Sequence, residues 1–408
     1  MVDISPTMAN PITNTESVGA YQVSHARLSE VARANLADWK MRDIHYDNNI
    51  LHGDPEWLLE QFKGEEEKLH VFLVKMGGDF LGAVPFELSQ RPLKCQLGEF
   101  QVVEFPLRRL RLLGYSLSLP ADGCLYDLVF SKILETAGEF DAIFMEYLKV
   151  DSYLWSYLRT SPLISQHFRY YSRQGPLPHP LLRFKGSFDE YLQKFSAKTR
   201  KNRVREVKRL RDEGGVDFIC VTQPDEVEDF LDTAAAISRK TWQFNMVGWG
   251  LAAWDLTQIK RRLKFAAERG WLRSYLLKCG GTPCSFILGL QHSHRFYHAV
   301  VGYDPQWSRL SVGSVLQFLV LEDLFGHNRP EVYDFGTYAP YKEYWANESY
   351  LELSGFLFPR RPYLVLVEIV HRACSRTSIQ AAAILDRLHL KPSVRRVLRR
   401  IRGGGGKA

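Results

Sequence analysis

A ten-residue segment occurs twice, half a chain apart, and constrains this sequence more than any other feature. Leu69 to Gly78 (LHVFLVKMGG) matches Leu272 to Gly281 (LRSYLLKCGG) at Leu, Phe/Tyr, Leu, Lys, Gly and Gly without a gap. Each copy is an apolar, β-forming run that ends in Gly-Gly and leads into a second run, Phe80 to Leu88 or Cys284 to Gln291. Both read as hairpins, because adjacent glycines supply the positive φ angles of a tight turn. The segments downstream of the two copies agree in kind. The second half reads as strand Phe296 to Tyr303, loop, helix Gly313 to Phe325 and strand Val332 to Phe335. The first half reads as strand Leu112 to Leu119, helix Tyr126 to Ala137 and strand Asp141 to Leu148. The expectation is a mixed α/β chain built twice from one unit, each a central mixed sheet flanked by helices. The Pro-rich stretch Gly175 to Pro180 marks the boundary. This divides the chain into a loose arm (1–20), a first domain (21–185), a second domain (186–360) and a basic helical tail (361–408).

Charge narrows the partners. The chain of 408 residues carries +7, and Lys391, Arg395, Arg396, Arg399, Arg400, Arg402 and Lys407 account for all of it, so the body before residue 390 is balanced. The exception within the body is a helix over Ala197 to Glu213. Between Lys198 and Arg211 the eight bases Lys198, Arg200, Lys201, Arg203, Arg205, Lys208, Arg209 and Arg211 face the single acid Glu206, with Val204, Val207 and Leu210 as the expected apolar stripe. A cationic surface of this kind is either simply solvated or draws in anionic ligands. The six cysteines form no C-x-x-C pair, and His292, His294 and His298 have no carboxylate in ligand spacing, so no metal is expected. No apolar run reaches the roughly 18 residues of a membrane span, and no secretory leader is recognisable. A cytoplasmic protein is expected. The tail, with Leu388, Leu390, Val394, Val397, Leu398 and Ile401 between its bases, suits peripheral contact with anionic lipid at the inner face of a membrane.

The chemistry concentrates between Phe296 and Trp345. A strand leads into Asp304-Pro-Gln-Trp-Ser-Arg-Leu-Ser-Val-Gly313-Ser314 and then an apolar helix. Glycine at a helix mouth lets backbone N–H groups and the helix dipole face an anion. Arg309 can add a charge-assisted contact. Ser311 and Ser314 either donate hydroxyls to that anion or serve as ordinary N-caps. His298 alternates with apolar neighbours and is either a hydrogen-bonded core residue or a base titrating near neutrality.

With these residues in view, the chain resembles one branch of the GNAT acyltransferase superfamily, the cellulose-biosynthesis (CelD-like) acetyltransferases, relatives of the Fem-type peptidyltransferases. The resemblance rests on S-x-K-T-R-K-N from Ser196, S-R-K-T-W-Q from Ser238, Y-D-P-x-W-S-R-x-S-x-G from Tyr303, Y-D-F-G from Tyr333 and Y-K-x-x-W from Tyr341. It implies two tandem GNAT-like folds, the first degenerate. It also implies acyl-CoA as co-substrate and transfer to an amine or hydroxyl of a sugar, polysaccharide or envelope precursor. The strand Phe296 to Tyr303 should splay from Val332 to Phe335. Val312, Gly313 and Ser314 with Arg309 and Ser311 would hold the pyrophosphate, and the backbone near Val300 or Val301 the thioester oxygen. His298 is the first candidate base and Asp334 the second. Tyr341 would protonate the leaving thiolate. Lys342 would hold an anionic acceptor, with Arg239 and Trp242 walling its pocket. The loop departs from the usual Gln/Arg-x-x-Gly-x-Gly/Ala, since Arg309 stands four residues before Gly313. An alternative donor, charged tRNA as in the Fem-type relatives, and a non-catalytic interaction protein are the competing readings.

Overall fold

A computed structural model describes residues 16–18, 20–31, 35–40, 51–97, 100–136 and 138–387. Most of the arm and the tail from residue 388, with its lipid-facing pattern, lie outside the described residues. The first half of the chain forms β1 (Tyr21–Arg27), β2 (Leu69–Met76), β3 (Asp79–Gln90), β4 (Leu93–Leu97), β5 (Phe100–Phe105), β6 (Arg108–Leu112), α1 (Gly123–Glu135) and β7 (Ala142–Lys149). It continues through β8 (Leu177–Arg183), α2 (Ala197–Asp212), β9 (Val216–Val221), α3 (Val227–Lys240), β10 (Ser274–Cys279), β11 (Thr282–His292) and β12 (Arg295–Tyr303). The last elements are α4 (Val312–Gly326), β13 (Val332–Asp334), α5 (Pro340–Trp345), β14 (Glu348–Pro359) and α6 (Pro362–Arg387). No helix among the described residues is long and apolar enough to cross a membrane.

The duplication is visible in the register. Gly77 and Gly78 (φ 62° and 97°) turn β2 into β3, and Gly280 and Gly281 (φ 56° and 74°) turn β10 into β11, the left-handed pairs that a two-residue hairpin needs. In one unit the strand order is β1-β2-β3-β6-β7-β14, antiparallel except for the parallel pair β6–β7. In the other it is β9-β10-β11-β12-β13-β8, antiparallel except for the parallel pair β12–β13. Each parallel pair is joined by a helix, α1 or α4, as a parallel connection requires.

The chain falls into two compact units, one of residues 1–48, 64–176 and 352–408, the other of 49–63 and 177–351. In the first, α1 buries Leu125, Val129, Phe130 and Ile133 against Phe72, Phe86, Leu110 and Ile143. In the second, α4 buries Val312, Val315, Leu316, Phe318, Leu319, Val320, Leu321 and Leu324. A helix apolar on every face must be covered on every face, and the sheet strands, α2 and the short helix Phe188–Leu192 all pack on it.

Three local expectations change. The strand expected over Leu112 to Leu119 ends at Leu112, because Gly114 (φ 90°) and Ser118 (φ 54°) take left-handed conformations that no strand admits. The helix expected to reach Trp242 stops at Lys240, where the Thr241 hydroxyl donates to Ser238 O and accepts from Phe244 N to start a new turn. On α2, Val204 is 61% exposed. The inward stripe is Arg203, Glu206, Val207 and Leu210, the true helical spacing.

Candidate active site

The site lies in the second unit, where β12 parts from β13. Their parallel register is Arg295↔Val332, Phe296↔Tyr333 and Tyr297↔Asp334, after which β13 ends while β12 continues to Tyr303. On its other edge β12 carries a bulge: Gly289 pairs with His298 and Leu288 with Val300, leaving Ala299 as the extra residue. A bulge breaks the ladder and turns backbone groups away from their partners. Space is kept open opposite, since a Cβ built on Gly336 (φ 68°) meets nothing nearer than His298 O at 4.0 Å. The shorter strand thus pairs along its whole length and ends beside His298.

His298 sits at the fork, 6% exposed. Its Nδ1 lies 2.6 Å from Tyr333 Oη, and that oxygen lies 3.1 Å from Gln317 Nε2 and 3.4 Å from Gln317 Oε1. The hydroxyl proton has two destinations. If it goes to Nδ1, Nε2 carries the ring proton; if it goes to Gln317 Oε1, Nδ1–H donates to the tyrosine and Nε2 keeps a lone pair. Among the described residues, buried Nε2 has no hydrogen-bond partner. Burial, reinforced by Lys342, lowers the imidazole to about 3, against a smaller upward pull from Asp334, so the ring is neutral at neutral pH.

Asp334 is 1% exposed. Burial pushes its carboxyl up, but His179 Nε2 at 2.7 Å, Arg295 Nη1 at 2.9 Å and Gly336 N at 2.8 Å more than offset this and hold it at about 2. It is therefore an ionised clamp joining β8, β12 and the turn after β13. His179 is fully buried and stacks on Tyr350 with ring centroids 4.7 Å apart. Lys342, instead of facing solvent as an anion holder would, is 9% exposed and donates to Phe335 O at 2.5 Å and Thr337 O at 2.8 Å. Its ammonium fixes the loop between β13 and α5. Tyr341, 46% exposed, keeps its proton well past neutrality, since the surrounding protein pushes its phenol up to about 12.

The Arg/Ser/Gly loop differs in detail from the expectation. Asp304 caps a 3₁₀ turn, accepting from Gln306 N, and is held by Lys240 at 2.6 Å. The left-handed residue is Ser311 (φ 54°), not Gly313, and its side chain makes no cap to α4. A side chain would fit at Gly313, since an added Cβ would meet Tyr303 Cδ1 at an ordinary 3.5 Å. The Ser314 amide bonds Ser311 O, while the leading amides, Val312 and Gly313, belong to the helix positions that no intrahelical carbonyl satisfies. The matching start of α1 in the first unit is closed: Asp122 accepts from Cys124 N and Leu125 N. Arg309 is 69% exposed at its side chain and pairs with Glu213 at 3.0 Å. Val300 is buried and Val301 half-buried. Arg239 is exposed at the end of α3, and the Trp242 side chain lies outside the described residues.

Four residues at the fork escape the sequence reading: His179, Arg295, Tyr333 and Gln317. Gln317 carries a signal, being the one polar residue in the apolar run Val315 to Leu321, and a buried amide must find a partner. His179 carries none.

The second copy of a duplicated mixed sheet thus opens a bulged strand beside a helix start without a side-chain cap. Residues 197–343 match the family model described as acetyltransferase (GNAT) domain, and the chain carries such a domain, with acyl-CoA as the co-substrate its family implies. The structure of FemX is 12% identical with a TM-score of 0.57, over 82% of this chain and 98% of that one, a likeness of fold. A tandem GNAT protein from the clavulanic acid biosynthesis pathway is 10% identical with a TM-score of 0.48, over 84% of this chain and 99% of that one. No curated protein sequence matches.

Proposed function

We propose that the second unit transfers an acyl group from acyl-CoA to an amine or hydroxyl of a sugar, polysaccharide or envelope precursor, with His298 receiving the acceptor's proton. The observation that carries this is the buried, unpartnered Nε2 of His298 beside the bulge at Ala299, where β12 leaves β13. A polar atom is rarely left so in a finished core. Of the two proton arrangements around Tyr333, the one in which its hydroxyl donates to Gln317 Oε1 presents this lone pair. Because burial disfavours the imidazolium, a proton taken at Nε2 is passed on and not stored, which makes this base modest in strength. The amides freed around Ala299 face the developing oxyanion. The amides of Val312 and Gly313 receive the pyrophosphate, and Tyr341 supplies the proton to the leaving thiolate. The sugar or envelope acceptor is supported by the resemblance to the CelD-like branch.

The test is acetyl transfer from labelled acetyl-CoA into a polar glycan and glycolipid extract, read by mass spectrometry. Wild-type protein labels a product and His298→Asn lowers its rate ~10²-fold or more with unchanged acyl-CoA affinity. Equal rates would remove His298 from the chemistry, and absence of any labelled product would remove the acceptor class.

A further inference from the structure

We propose that Cys95 and Cys374 form a reversible disulfide that staples α6 to β4, made by a hydroperoxide oxidant. Cys95 sits in the antiparallel pair β4–β5 and is completely buried. Opposite it, α6 presents His371, Cys374 and Ser378 at spacings of three and four, one face of a helix. The contacts run in step. The helix packs on this strand, Ser378 Oγ donates to Gln96 O at 2.9 Å, and Cys374, one turn before Ser378 on the same face, neighbours Cys95. Tyr171 Oη, 2.6 Å from His371 Nδ1, holds the same helix face from another side. Two neighbouring thiols held by a fixed helix–strand register need only a short approach to bond.

The two sulfurs are unequal. Cys374 is half-buried while Cys95 is sealed, and burial with the neighbouring Cys374 pushes the Cys95 thiol up to about 11. Cys95 is thereby inert to direct oxidation, and the accessible partner reacts first. The Cys374 thiolate attacks the hydroperoxide, the O–O bond breaks, and Cys374 sulfenic acid and an alkoxide or hydroxide form. Cys95 sulfur then attacks the sulfenic sulfur: the S–S bond forms, the S–O bond breaks, and water leaves with the Cys95 proton. A low-molecular-weight thiol reverses the bond by exchange. The other buried pair is differently engaged, since Cys279 and Cys284 donate to the carbonyls of Leu210 and Leu277.

The experiment treats the reduced full-length protein with hydrogen peroxide, blocks free thiols and maps peptides without reduction. The expected result is a Cys95–Cys374 cross-linked peptide that dithiothreitol removes, with a thermal midpoint a few degrees above that of the reduced protein. Cys374→Ser abolishes both effects, and Cys95→Ser leaves a sulfenic acid at Cys374 that dimedone traps. Absence of the cross-linked peptide from wild-type protein overturns the proposal, whichever other cysteines are modified.

Discussion

Tyr333→Phe removes one oxygen and leaves the packing intact, which isolates what that oxygen does. The ring is fully buried, with Phe335 and Phe296 at centroid distances of 4.4 and 4.7 Å, and a phenylalanine keeps both contacts. What goes is the hydroxyl between His298 Nδ1 at 2.6 Å and the Gln317 amide at 3.1 Å. Each buried polar group left unmatched costs ~1–3 kcal/mol, and removing the tyrosine's own buried hydroxyl recovers part of this, so the net loss of stability is about 2–3 kcal/mol. Denaturant unfolding reads it as a lower midpoint with unchanged slope. The kinetic effect is separate. Without a partner on Nδ1 the imidazole is no longer held in place, and kcat falls ~10- to 100-fold with KM for acyl-CoA unchanged. The decisive measurement is the same substitution in a His298→Asn background, where a residue acting only through His298 has nothing left to lose. If Tyr333→Phe lowers kcat by the same factor in both backgrounds, the relay from Gln317 through Tyr333 to His298 does not exist.

The same geometry sets three further outcomes. Gly313→Ala should retain acyl-CoA affinity, since its Cβ meets Tyr303 at an ordinary 3.5 Å, whereas Gly313→Asp should weaken it ~10-fold or more by placing an anion at the helix start; calorimetry giving equal affinities would remove this loop from the site. Lys342→Met should destabilise the protein by ~2 kcal/mol through the orphaned carbonyls of Phe335 and Thr337. It should also raise the acidic limb of the rate profile, because Lys342 helps hold His298 down; an unmoved limb would mean that another group titrates. Asp334 is depressed from the ordinary carboxylate value of 3.8 to about 2, so its contribution is present above the unfolded value and is lost as pH falls through about 2. That contribution is about 2 kcal/mol. Asp334→Asn should flatten this part of the acid-unfolding curve, and a variant that titrates like wild type would show the clamp to be electrostatically neutral.

The motifs Y-D-P-x-W-S-R-x-S-x-G and Y-D-F-G place the fork correctly because both straddle strand ends, where the local signals of turn, cap and helix start are strongest. Side-chain roles are less legible. Asp334 and Lys342 read as a base and an anion holder, yet each is enclosed by partners that the linear order hides, His179 from β8 for the first and the carbonyls of the β13–α5 loop for the second. Counting by threes points Val204 inward, an error of phase that only the position of the sheet resolves. Ser311 reads as a cap or a hydroxyl donor, and its left-handed backbone has no signature, since that conformation is ordinarily left to glycine or asparagine.

The sequence alone determined the duplication, the hairpins at Gly77-Gly78 and Gly280-Gly281, and the apolar helix α4, because periodicity and turn chemistry act over a few residues. Tertiary structure decided which strands complete each sheet. The strand Leu177–Arg183 closes the unit that comes after it in the chain, and residues from Glu352 onward return to pair with β7 in the unit that began the chain. An edge strand accepts any partner of suitable length and apolar face, so pairings this far apart in sequence are settled only when the cores form. The ion triad at Asp334 is assembled by the same event.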